Sequence, residues 1–164
     1  MTAAQRALDT YAFNRTRTID LLDRILKEPN PQAVLGWRPG PGRAHIAWQL
    51  THIGVTEELF ATERLAPHKT GAFQELWPRF RGGSTPDDDI PSADLIRRVL
   101  VESRTHVTQT LLEIPESKLP EVVLTLRDRP FTFQQVLYIL GWHEPHHQGQ
   151  AHITFNLYKA ANGT

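Results

Sequence analysis

Cysteine is absent from the 164 residues, so no disulfide and no thiolate of the protein's own is available, and any transition-metal site must draw on His, Asp or Glu. An excess of one charge is missing too. Eighteen Lys and Arg balance eighteen Asp and Glu, leaving no net field to attract a phosphate backbone or an anionic membrane, so neither nucleic acid nor membrane is an expected partner. No apolar run approaches the roughly 18 to 20 residues of a bilayer span, and Arg6 and Asp9 interrupt the place where a signal peptide needs apolar residues. These absences predict a soluble, cytoplasmic protein. What is present is an ordinary globular balance, 40% hydrophobic and 22% charged, over a length that suits a single domain, residues 1–164. Eight histidines become the place to look for chemistry.

Helical periodicity runs from Ala3 to Glu28 through Leu8, Tyr11, Ala12, Ile19, Leu22, Ile25 and Leu26, and Pro29 and Pro31 stop it. The stretch PNPQAVLGWRPGPGR is too rich in Pro and Gly for a regular element and reads as a connector. A second helix is expected from about Ala44 to Leu65. Residues 67–91 hold four prolines, three glycines and three successive aspartates; so long a connection in a compact domain is either functional or disordered. Its Phe73, Trp77 and Phe80 can cover a pocket mouth or pack as a satellite cluster. Ser92 is a suitable N-cap for a third helix ending at Pro115. The segment EVVLTLRDRPFTF has the β-branched content of a short extended or hairpin-like piece, and Thr132 with Gln135 resembles a capping box opening a fourth helix that runs to about Ala160. The expected fold is all-α, a four-helix bundle with a long helix 2–3 connection and a short extended segment before helix 4.

In helix four the core-facing stripe reads Val136, Leu140, His143, His147, Gln150, Thr154, Leu157, apolar at its ends and imidazole in its middle. Buried polar groups must find partners. Histidines four apart sit about one turn from each other and can reach one ion at about 2.0 to 2.1 Å. His-x-x-x-His alone is a weak motif, so a third ligand has to come from elsewhere, and His52 on helix two supplies it. His45, seven residues earlier, is a possible additional ligand. His146 points about 100° away from the pair and reads as a rim residue, while His68, His106 and His152 read as surface or satisfied core histidines. Pro145 lies between the paired histidines and removes the helix bond to the Gly141 carbonyl, so a local bend is expected there. Gln49, Thr56, Glu144 and Gln150 are candidate acceptors for the ligands' second ring nitrogens. Arg15 interrupts the apolar pattern of helix one; it either reaches the pocket to bind an anion or extends its head to solvent.

Three neutral imidazoles leave an ion its full charge and an open position, as in a catalytic site. Such an ion acidifies a bound water, to a pKa of about 7 for zinc, and deprotonates a bound thiol. Imidazole alone does not select among zinc, nickel, iron and manganese.

The segments LGWRPGPGRAHIAWQLTHIGVTEE and WHEPHHQGQ resemble the two characteristic segments of the DinB-like superfamily, and the resemblance covers nearly the whole chain. It implies a four-helix bundle with an unusual connection order and a metal triad at His52, His143 and His147. It also implies, as activities met among relatives, transfer of low-molecular-weight thiols such as bacillithiol or mycothiol to electrophiles, or thiol-dependent isomerisation. Gln148 stands where the family commonly has Arg, and Pro145 where it has a helix former. The functional expectation is a metal-dependent enzyme acting on a small molecule, by thiol transfer or by hydrolysis. The competing expectation is a non-catalytic, stress-linked bundle whose metal is structural, and a homodimer is possible in either case.

Overall fold

In the computed structural model, which describes residues 1–163, four long helices carry the chain and a two-stranded hairpin is its only sheet. Helix α1 (Ala3–Ile25) starts at a capping box in which Thr2 and Gln5 exchange hydrogen bonds, and it buries Tyr11, Arg15, Thr18, Leu22 and Ile25 at steps of four and three. The Pro- and Gly-rich connector holds an element that periodicity missed. Asn30 caps, and Pro31 begins, the short α2 (Pro31–Gly36); an Asn-Pro pair at a helix start is the signal that was there to be read.

Helix α3 (Ile46–Leu59), capped by His45, continues into a π turn at Phe60–Arg64. All fourteen of its residues are buried, because it has neighbours on every side. Helices α5 (Ala93–Glu113) and α6 (Phe133–Asn162) flank it, and the 65–92 connection covers its remaining face. That connection is ordered: a 3-10 turn (Gln74–Leu76) leads into the one-turn α4 (Trp77–Phe80), and Phe73, Leu76 and Phe80 pack on Trp48, Val55 and Leu59 of α3. Glu58 pins it, accepting from the Ala72 amide at 2.5 Å, the Phe73 amide at 3.1 Å and Trp77 Nε1 at 2.7 Å.

The extended piece is a hairpin, β1 (Val122–Leu126) with β2 (Arg129–Thr132). Both of its turn residues, Arg127 and Asp128, have positive φ, 49° and 63°, the backbone that a two-residue turn matched to strand twist requires. Thr132 then caps α6 through the expected box with Gln135.

Helix α1 packs on α5 and α6, and α3 packs on the same two. The successive long helices α1 and α3 therefore lie diagonally, which is the unusual connection order. Gly54 on α3 allows the closest approach: a Cβ there would come within 2.6 Å of Val99 on α5. The core has two apolar clusters in the bundle, one around Leu22, Ile53, Leu100 and Phe155, the other around Tyr11, Phe60, Val107 and Leu140. Between them lies a charged layer of Arg15, Glu57, Arg104 and Glu144.

Candidate metal centre

Helices α3 and α6 run antiparallel, so Gln49 meets Gln150 while His52 meets His143 and His147. The three histidines offer ring nitrogens that all lie within 4.8 Å of one another, a group able to hold a metal ion. Their ring centroids are 4.4 to 4.9 Å apart, and the Nε2 atoms of His52 and His143 face each other at 3.1 Å. Nitrogens bound to a tetrahedral ion at about 2.0 to 2.1 Å are about 3.3 Å apart. The pair already has ligand spacing.

The second ring nitrogens decide which atoms are free. His52 Nδ1 lies 2.5 Å from the main-chain carbonyl of Phe80, an acceptor only, so Nδ1 carries the proton and Nε2 keeps its lone pair. His147 Nδ1 donates to Gln49 Oε1 at 2.6 Å, which again leaves Nε2 free. Gln49 in turn donates to Gln150 Oε1 at 2.9 Å, and Gln150 Nε2 lies 2.8 Å from His146 Nε2. Trp48 stacks on His52, centroids 4.6 Å apart and planes 10° from parallel, and so holds the ring flat. Hydrogen-bonded second nitrogens of this kind fix tautomer and orientation in metal-ligating histidines.

Electrostatics keep the rings neutral. Burial, and then the neighbouring His147 and His52, push His143 down to about 2; burial, and then His52 and His146, push His147 down to about 3. Burial lowers His52 as well, against the Phe80 carbonyl, which favours its protonated form. Three lone pairs are thus available at neutral pH, and the donor set fits a divalent transition metal.

Other residues singled out in the sequence take different positions. His45 is engaged at both nitrogens, Nδ1 accepting from the Trp48 amide and Nε2 donating to the Asp87 carbonyl, each at 3.0 Å, so it caps α3 and stands outside the group. Gln150 sits behind Gln49. Arg15 neither enters the pocket nor reaches solvent: Nη2 bonds Glu57 at 2.9 Å and Nε bonds Glu144 at 2.7 Å, in the buried layer. Glu144, a candidate acceptor for the rings, serves Arg15, Thr18 and Arg104 instead. The helix-four stripe needs one correction. At its C-terminal end Gln150 is exposed and Leu157 is 46% exposed, while Glu144, Ala151 and Phe155 are buried, because α6 lies between α1 and α3 and so has two inward faces. Pro145 lies within an unbroken helix. The Gly141 carbonyl that it leaves without a helix partner accepts from Asn14 Nδ2 of α1 at 3.2 Å.

Sequence reasoning missed the Phe80 carbonyl, a main-chain acceptor with no side-chain signal. Arg104 was legible, since it interrupts the apolar stripe of the third helix between Leu100 and Val107. A cleft of about 450 Å³ is lined by Pro39, Arg43, Gln49, Gln150, Ile153 and Thr154, among others, and by none of the three histidines, so the Gln49 that holds His147 is also part of a cleft wall.

A family model described as the DinB superfamily matches residues 10–151. Among solved structures the chain is similar to a conserved protein from Enterococcus faecalis, at 19% identity and a TM-score of 0.71, over 96% of this chain and 97% of that one. At that identity the likeness is one of fold. No curated protein matches the chain. With the family match running from within α1 to within α6 and taking in all three clustered histidines, the chain belongs to the DinB superfamily.

Proposed function

We propose that this protein is a metal-dependent enzyme, with a divalent ion on His52, His143 and His147, that transfers a low-molecular-weight thiol to a small electrophile. The observation that carries the reading is the convergence of three neutral imidazoles, two with their Nδ1 protons committed to Phe80 and Gln49. Bound there, the metal would supply Lewis acidity, enough to deprotonate a thiol outright or to acidify water.

The disposition of carboxylates favours thiol over water. Hydrolysis at a metal centre ordinarily enlists a general base within hydrogen-bond reach. Here Glu57 and Glu144 are bound to Arg15 and Arg104, and Glu58 to the amides of the 72–73 segment. A thiol that loses its proton to solvent at the metal needs no such base. Gln49, Phe80 and Trp48 then have the task of keeping the three rings aimed.

The test is elemental analysis of protein purified without chelator, joined to a screen of thiols against electrophiles. Near-stoichiometric metal is expected, lost in His147→Ala together with turnover. Protein that takes up no transition metal when one is offered would refute the reading; metal that raises the melting temperature without any turnover would favour a structural ion instead.

A further inference from the structure

Arg64 is the one half-buried arginine near the triad that makes no ion pair among the described residues. Its Nε is shielded from solvent and finds no hydrogen-bond partner among the described residues. The guanidinium lies over the Phe60 ring, 4.5 Å from its centroid, which fixes one face by cation–π contact. The nearby carboxylate, Glu63, is already bonded to Arg81 at 3.2 Å. The contrast with the charged layer is clear: Arg15 and Arg104 are also buried, but they share two carboxylates. A guanidinium half withdrawn from water without a counter-charge is costly, and a buried donor left unsatisfied calls for a partner.

The local backbone places Arg64 beside the histidines. In a regular α-helix the twelve residues from His52 to Arg64 would leave the two side chains about 120° apart around the axis. The π turn at Phe60–Arg64 takes extra residues per turn and swings Arg64 back toward the His52 face. Its charge lies within electrostatic range of both His52 and His143, which agrees with that placement. Arg81, next to the Phe80 whose carbonyl holds His52, takes up Glu63 and so leaves Arg64 without it.

We propose that Arg64 is the residue that recognises a carboxylate on the molecule acted on at the three-histidine site, making an anionic thiol or anionic electrophile the preferred substrate class. Guanidinium binds carboxylate through a planar fork, and a carboxylate seated there supplies the missing partner. This inference rests on the metal reading above.

Mercaptosuccinate and uncharged 2-mercaptoethanol, titrated calorimetrically into zinc-loaded protein, test it, with cobalt-substituted protein giving an absorption signature of thiol ligation. Wild type is expected to prefer mercaptosuccinate by about 10-fold to 100-fold, the range for hydrogen bonds to a charged group. Arg64→Met should erase the preference while keeping zinc stoichiometry and mercaptoethanol affinity. Arg64→Lys, which keeps charge without the fork, should retain part of it and serves if the Met variant does not fold. Preference undiminished in a folded Arg64 variant overturns the assignment, as does zinc-loaded wild type with no preference. Wild type that takes up no zinc overturns the metal reading and this inference with it. Succinate should compete better than inorganic phosphate; the reverse order would reassign the anion and overturn the choice of carboxylate.

Discussion

Gln49 accepts the Nδ1 proton of His147 at 2.6 Å and is itself oriented by donating to Gln150 at 2.9 Å. One amide on α3 therefore sets the tautomer and aim of a proposed ligand on α6. Losing such a partner typically lowers metal affinity 10–100-fold. Gln49→Ala should weaken zinc binding by that factor, and Gln49→Glu, a stronger acceptor, should restore it. Competition titration against a chromogenic chelator measures both, and an affinity unchanged in Gln49→Ala would show that the contact does not govern the ligand.

Asn14 compensates for Pro145. The proline removes the helix bond to the Gly141 carbonyl, and Asn14 Nδ2 fills the place from α1 at 3.2 Å. Asn14→Ala should cost about 1 to 2 kcal/mol in urea unfolding, since it leaves a partly buried acceptor unpaired. In a Pro145→Ala background the helix supplies its own N–H to that carbonyl, so the same substitution should cost much less. Equal costs in the two backgrounds would mean that the two residues are independent.

The legible and the illegible parts of this protein divide along a physical line. Elements whose cause is local were open to reading: the box at Thr132, the stop before Pro29, the His143–His147 spacing. Convergence of His52 with that pair was readable because one stripe carried polar groups that burial obliges to find partners. Arg15 was misleading for the opposite reason. An arginine on an apolar stripe can bind a ligand, escape to water or meet buried carboxylates, and only the docking of α1 on α5 and α6, diagonally across from α3, selects the third. The Phe80 carbonyl and the π turn that redirects Arg64 have no residue-type signal, so they emerge only from packing.

The depressed histidines make stability depend on pH with a definite sign. Unfolded, His143 and His147 titrate near 6.5; folded, burial and the neighbouring histidines hold them at about 2 and about 3. Between these limits the unfolded chain binds protons that the folded chain refuses. Stability is therefore fully present above about pH 6.5 and falls steadily below it. Glu144, held low by Arg15 against the opposing effect of burial, adds a loss of the same sign only once pH drops below 4.5. Chelator-treated protein should show a melting temperature that declines from pH 7.5 to 5.0, less steeply in His143→Gln. Parallel profiles would mean that His143 takes up its proton without strain in the folded protein.

The charged layer is expected to specify the site more than to stabilise the fold. Glu144 accepts from Arg15 Nε and Thr18 Oγ1, each at 2.7 Å, and from Arg104; Glu57 joins the same two arginines. Removing one member strands a buried charge, so Glu144→Gln or Arg104→Met alone should cost about 3 to 5 kcal/mol in urea unfolding. Replacing all four by Met and Leu removes the desolvation cost along with the attraction and should come out near wild type in stability. Its effect should appear at the metal instead. Glu144 adjoins His143, and its bonds to α1 and α5 fix the rotation of α6 about its own axis, a constraint that apolar contacts, being non-directional, do not replace. The fourfold variant should therefore bind zinc at least about tenfold more weakly, the lower end of what lost ligand support costs. Wild-type zinc affinity in that variant would show that apolar packing alone aims the histidines.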